Sequence, residues 1–117
     1  MRHQKNKITL DRKTAARRSL LANLAESLIL YEKIKTTKAK AKATSSVVEK
    51  IITKAKGENV LNARRSLMKI LYTENAIKKA MEDLKNRYSD KKSGFTRVIA
   101  LKRRKGDGAE EAIVELV

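Results

Sequence analysis

The chain has 117 residues, enough for one domain with a modest core. Its 29 Lys and Arg face 13 Asp and Glu, a formal +16 whose self-repulsion a polyanion would relieve. With no cysteine, disulfides and thiolate chemistry are excluded and a structural zinc site nearly so; no spanning apolar run, lipidation motif or secretory h-region is found, so a soluble cytoplasmic protein is expected.

Residues 1–13 lack a sustained hydrophobic period and read as a basic arm, with Ile8 and Leu10 its only sizeable apolar anchors. Asp11 is the only carboxylate of the opening MRHQKNKITLDRKTAARRS. From Thr14, a plausible N-cap, Leu20, Leu24, Leu28 and Tyr31 recur at helical spacing with Leu21 and Ala25 alongside. Arg17 shares that angular face and marks where the helix leaves the core to meet a partner. KIKTT (33–37) alternates and is β-branched, which predicts a short strand.

The following TTKAKAKATSS fits period two as well as a helix. The helix reading prevails because Ala41, Val48, Ile51, Ile52 and Ala55 form one stripe, Thr44 its polar member. Gly57 is a suitable C′ residue to end that helix. A third helix is expected near 59–71, with Val60, Ala63, Leu67, Ile70 and Leu71 inward. Thr73 caps a fourth, whose inner face is Ile77, Ala80, Met81, Leu84 and Tyr88. FTRVIALKRR (95–104) and EAIVELV (111–117) flank a Gly-Asp-Gly turn and predict an antiparallel hairpin. A hairpin needs further packing to be stable, so it should lie on helices and pair with 33–37. The expected fold is α+β: about four helices, a small three-stranded β-sheet and the arm, in a single domain over 1–117.

No catalytic constellation emerges. His3, the only histidine, stands in the arm without a second ligand, and Glu82 with Asp83 and Glu110 with Glu111 are sequence neighbours whose side chains diverge. The Gly-Asp-Gly loop lacks the full pattern of a phosphate or calcium loop. Neither a cofactor, a metal nor a small-molecule substrate is expected. The four aromatic residues are scattered, a poor platform for stacking successive bases.

The cations are segregated. Five lysines lie between Lys33 and Lys42 with no acid among them, whereas a merely solvated helix face intersperses signs. Lys102, Arg103, Arg104 and Lys105 cluster at the hairpin end, and the arm repeats the bias. Three separate basic segments fit a protein embedded against a folded polyanion. Charge clustering nominates Lys13, Arg18, Lys38, Lys42, Lys102, Arg103 and Arg104 as contacts.

The start MRH and the stretches NLAESLILYEKIKTTKAKAKA (23–43), ITKAK (52–56), ARRSL (63–67), SGFTRVI (93–99), KGD (105–107) and IVELV (113–117) closely resemble the bacterial large-subunit ribosomal protein seventeen family. The resemblance runs in register along the whole chain. It implies a structural protein, not an enzyme, that binds 23S ribosomal RNA beside neighbouring large-subunit proteins, near the rim of the polypeptide exit tunnel. It implies RNA contacts from Arg2, His3, Lys5, Arg12, Arg17, Lys35, Lys40, Arg64, Arg65 and Arg97, with Asn23, Thr36 and Thr37 as possible donors to phosphate or sugar. The chain departs from the family pattern at Ala16, Ala22, Ala39, Ser45, Ser46 and Glu110, losing arginines at Ala22, Ser45 and Ser46, and a more lysine-based surface is expected. Competing readings are a nucleoid-type binder of double-stranded DNA, with 59–88 as a helix-turn-helix, and a peripheral membrane protein. The dispersed cations argue against the first, and the small residues Ala and Thr at the start of the 38–56 stripe against the second.

Overall fold

A computed structural model describes residues 3–4 and 8–117. Within the arm, the Arg12 amide donates to the Thr9 carbonyl at 3.1 Å, and Leu10 and Asp11 both take φ 53° to close the turn. Helix α1 spans Thr14–Tyr31. Lys13, not Thr14, occupies its N-cap, and lysine has no acceptor to offer the open amides.

The buried face of α1 is Ala22, Ala25, Glu26, Leu28 and Ile29, with Arg17 at its start. This corrects the expected leucine stripe: Leu20 and Leu24 are half-buried and Tyr31 is 74 % exposed. The rotation has a polar cause. It carries Glu26 inward, where Oε1 accepts from the amides of Tyr72 and Thr73, the latter at 2.8 Å.

One residue, Glu32, turns the chain from α1 into strand β1 (Lys33–Thr37). It adopts φ 65°, a left-handed conformation usually left to glycine, while its amide caps Leu28 O at 2.7 Å. Its carbonyl accepts from Leu116 N at 3.0 Å, and its carboxylate takes Arg87 at 2.5 Å and Lys79 at 3.2 Å. Bonds on every side hold this strained residue in place.

Helix α2 (Lys38–Ala55) follows directly and buries Ala41, Thr44, Val48, Ile51, Ile52 and Ala55, as its periodicity predicts. Thr44 returns its hydroxyl to Lys40 O at 2.7 Å, so it enters the core without an orphaned group. Gly57 stands at C′ as expected: Lys56 closes the helix at φ −80°, the Gly57 amide donates to Lys54 O at 3.1 Å, and a Cβ at Gly57 would meet that carbonyl at 3.2 Å.

Helix α3 (Val60–Met68) starts from Asn59, whose side chain accepts from Asn62 N at 3.2 Å. Ala63, Leu67 and Leu71 are buried, whereas Val60 is 57 % exposed, correcting its inward assignment: it falls at the first turn, beyond the reach of α2. The fourth helix, α4, begins at Glu74–Lys79, widens into a π segment over Ala80–Leu84 and closes with Lys85–Arg87. Ile77 is buried as expected, and the buried residues Ala76, Ala80, Leu84 and Tyr88 stand four apart. In an α-helix such a row drifts by about 40° at each step, and the wider π turns reduce that drift.

Strands β2 (Thr96–Arg103) and β3 (Glu110–Leu116) form the expected hairpin, and β1 joins it antiparallel in the order β1-β3-β2. The register sets Ile34 and Val98 on either side of Val114, and a bulge separates Ala100 from Arg103. Gly106 and Gly108 take φ 99° and 67° in the connecting turn. Ala112 and Val114 face the helices and meet α1, α2 and α4 in one core. Phe95 is fully buried there, tilted against Tyr88 at 5.1 Å, and the Tyr88 hydroxyl donates to Val117 O at 2.7 Å.

Candidate nucleic-acid interface

Both 18-residue helices begin in cations. Neither α1 nor α2 has an acid in its first turn, while Lys13, Arg17 and Arg18 open the first and Lys38, Lys40 and Lys42 the second. The positive end of a helix dipole disfavours cations by about 0.3–1 kcal/mol each. The same arrangement, with open amides alongside, favours an incoming phosphate. The sequence accepts a cost in the free chain at the places where an anion would reverse it.

The fold brings the three basic segments onto one side of the molecule. Ile8 of the arm lines a shallow groove of about 390 Å³ with Lys38, Ala39, Lys42 and Glu110. Beside it, Lys35, Leu101, Lys102, Arg103, Arg104 and Lys105 line a second concavity of about 500 Å³. Glu110 and Glu111 lie between: Glu110 pairs with Lys38 at 3.9 Å and Arg103 at 3.4 Å, and Glu111 with Lys35 at 3.8 Å. These are long, exposed pairs, worth at most about 1 kcal/mol, and a phosphate can compete for the cations. The arm, the start of α2 and the hairpin end therefore share one surface.

Other nominated residues stand apart. Arg64 and Arg65 sit on α3, with Arg64 bound to the Glu74 carboxylate. On the outer face of the sheet, Glu115 bridges Lys33 at 3.9 Å and Arg97 at 3.3 Å, so Arg97 is already partnered. Arg104 is the most committed: Nε and Nη2 grip Asp107 at 3.1 and 2.5 Å, holding its carboxyl well below the usual carboxylate range. Arg17 is buried against the arm, with Nη1 3.4 Å from Arg12 O, and does not project to a partner as expected. His3 and Asn23 are exposed, while Thr36 and Thr37 are half-buried. Arg2 and Lys5 lie outside the described residues.

Among the described residues, Lys13, Arg18, Lys40, Lys42, Arg65 and Lys102 make no ion pair, and Arg12 only reaches Leu10 O at 3.0 Å. The departures at Ala22 and Ser45 point inward: Ala22 is buried, and Ser45 meets the Thr96 hydroxyl at 2.6 Å, tying α2 to β2. Among the unpaired cations that escaped nomination are Lys50 and Lys69. They lie far apart in sequence and join Arg18 only once α1, α2 and the turn after α3 have packed.

No cluster of His, Cys, Asp and Glu suited to a metal occurs among the described residues, and no helix there is long and apolar enough to cross a membrane. The surface offers charge and shape, with no nucleophile and base brought together.

The family model described as Ribosomal protein L17 matches residues 20–117. The chain is 46 % identical over 117 residues to a large ribosomal subunit protein bL17 of Chlorobium phaeobacteroides, covering all of this chain and 70 % of the relative. It is 43 % identical to the protein of that name from Wolinella succinogenes, covering both in full. The Halalkalibacterium halodurans protein of that name is 46 % identical over 116 residues, or 92 % of this chain and 96 % of the relative.

Proposed function

The chain belongs to the ribosomal protein L17 family, and on that premise we propose that it is a structural component of the large ribosomal subunit that binds 23S ribosomal RNA. It acts in the cytoplasm, beside other large-subunit proteins, and catalyses no reaction. A position near the rim of the exit tunnel is supported by the family resemblance alone.

The carrying observation is that α2 starts in Lys38, Lys40 and Lys42 without a compensating acid in its first turn, on a surface continuous with the hairpin end. In this reading the chain is one domain with residues 1–13 as an RNA-contacting arm. Lys13, Arg18, Lys38, Lys40, Lys42 and Lys102 neutralise phosphates, and Arg2, His3, Lys5 and Arg12 follow the RNA along the arm. Arg17 positions the arm by its bond to Arg12 O. Arg64, Arg97, Arg103 and Lys35 add contacts by exchanging carboxylate partners for phosphate, and Arg65 adds one directly. Arg104 shapes the hairpin turn, while Asn23, Thr36 and Thr37 reach sugar or phosphate oxygens. A-form RNA is recognised largely by backbone and shape, which dispersed cations on a rigid body can match.

The test is filter binding of the chain to 23S ribosomal RNA across a salt series. Six phosphate contacts on duplex-like RNA correspond to a slope of log K against log salt of about −5. A flat salt dependence, or equal affinity for duplex DNA, would overturn the proposal.

A further inference from the structure

Between α1, α2 and the turn after α3 lies a groove of about 500 Å³, within the range of roughly 300–1,000 Å³ typical of small-ligand clefts. Leu21, Ala22, Val47 and Ile70 make its floor. Arg18, Lys50 and Lys69 stand around it and make no ion pair among the described residues, and no carboxylate lines it. Tyr72 forms one wall, with 62 % of its surface exposed.

The tyrosine is held in advance. Glu26, the only carboxylate of α1, accepts from the Tyr72 amide, and the Tyr72 hydroxyl lies 3.5 Å from Ser19 Oγ. Both ends of the residue are thus tied to α1. An exposed aromatic ring fixed beside an apolar floor, under three cations, is complementary to a ligand with a flat apolar part and negative charge at its margin. A nucleotide taken out of its stack has that form, and base–aromatic stacking contributes about 1–3 kcal/mol with little dependence on base identity. A prefixed ring avoids part of the ordering cost of binding.

We propose that this groove receives a single unstacked nucleotide of the bound RNA. Its base stacks on Tyr72 over Leu21, Val47 and Ile70, and its flanking phosphates face Arg18, Lys50 and Lys69. The inference rests on the RNA-binding reading above and assigns it a second contact face, whose lining includes no residue of the arm or hairpin.

The chain contains no tryptophan, so Tyr72→Trp introduces a single reporter. Saturation with 23S ribosomal RNA should quench its emission by about threefold or more through stacking. Adding Ala22→Leu, which fills the floor, should abolish the quenching while filters still retain the RNA. Lys69→Glu, an exposed change, serves if the filled variant does not fold, and should weaken the quenching at equal RNA occupancy. RNA retained with unchanged emission, or undiminished quenching in the filled variant, overturns the nucleotide site alone. An unquenched blue shift on adding purified large-subunit proteins gives the groove to a protein segment and overturns it too. Failure of the parent chain to retain RNA overturns the RNA-binding reading itself.

Discussion

Glu26→Ala tests whether a carboxylate on one helix organises the entry to another. Glu26 Oε1 serves the amides of Tyr72 and Thr73, and Thr73, at the N-cap of α4, makes no capping bond with its own hydroxyl. Losing a charged acceptor costs about 1.5–3 kcal/mol per hydrogen bond. Both amides belong to exposed residues, and removing a buried charge returns part of the loss. The net expectation is about 2–3 kcal/mol. At about 2.1 cal/mol/K per residue, the 117 residues have an unfolding entropy near 0.25 kcal/mol/K, so the melting midpoint should fall by about 10 °C. Glu26→Gln keeps an acceptor and loses only charge assistance, about 1 kcal/mol. Circular dichroism melts with Asn23→Ala as a surface control provide the assay. A Glu26→Ala variant within about 0.5 kcal/mol of that control would refute the assignment.

Phe95→Ala should cost about 3–5 kcal/mol, because the ring is fully buried against Tyr88 and under the Lys56 ammonium at 5.1 Å, and urea denaturation measures it. The hydrogen bond from Arg87, with Lys79 beside it, holds the Glu32 carboxyl below its ordinary value of 4.5. Its stabilisation is complete above that value and lost as pH falls through the lowered one, so Glu32→Gln should flatten the acid limb of a stability–pH curve. An unchanged acid limb would count against the pair. Arg104→Gln should leave the salt slope of RNA binding nearly unchanged, since Asp107 already occupies its guanidinium, whereas Lys102→Gln should reduce the slope by about 1.

Elements with a strong period were legible in the sequence. The stripe from Ala41 to Ala55 and the hairpin around Gly-Asp-Gly stand where the pattern puts them, because each follows from local spacing and turn chemistry. The face of α1 was not legible, as its orientation depends on a bond from Glu26 to a backbone 46 residues away. The left-handed turn at Glu32 was hidden for a related reason: bonds from three elements hold this unfavoured residue there, while Gly57 ends α2 as its position suggests. At the interface, the bias of the cations could be read directly. Which of them are already answered could not, because Arg97, Arg104 and Lys35 find their carboxylates only through the sheet register and the turn.

Strand β2 is one of the two outer strands of the sheet, and Val98, Ile99 and Leu101 on it are 36–40 % exposed. Its free backbone edge, eight residues long, is a template on which a second copy could zip. Arg97, Lys102 and Arg103 are spaced along that edge, and two such strands brought together would press like charges against one another. These cations act as gatekeepers between chains before any RNA arrives. Neutralising Lys102 and Arg103 together would remove two of the proposed phosphate contacts and the barrier to self-association in one step.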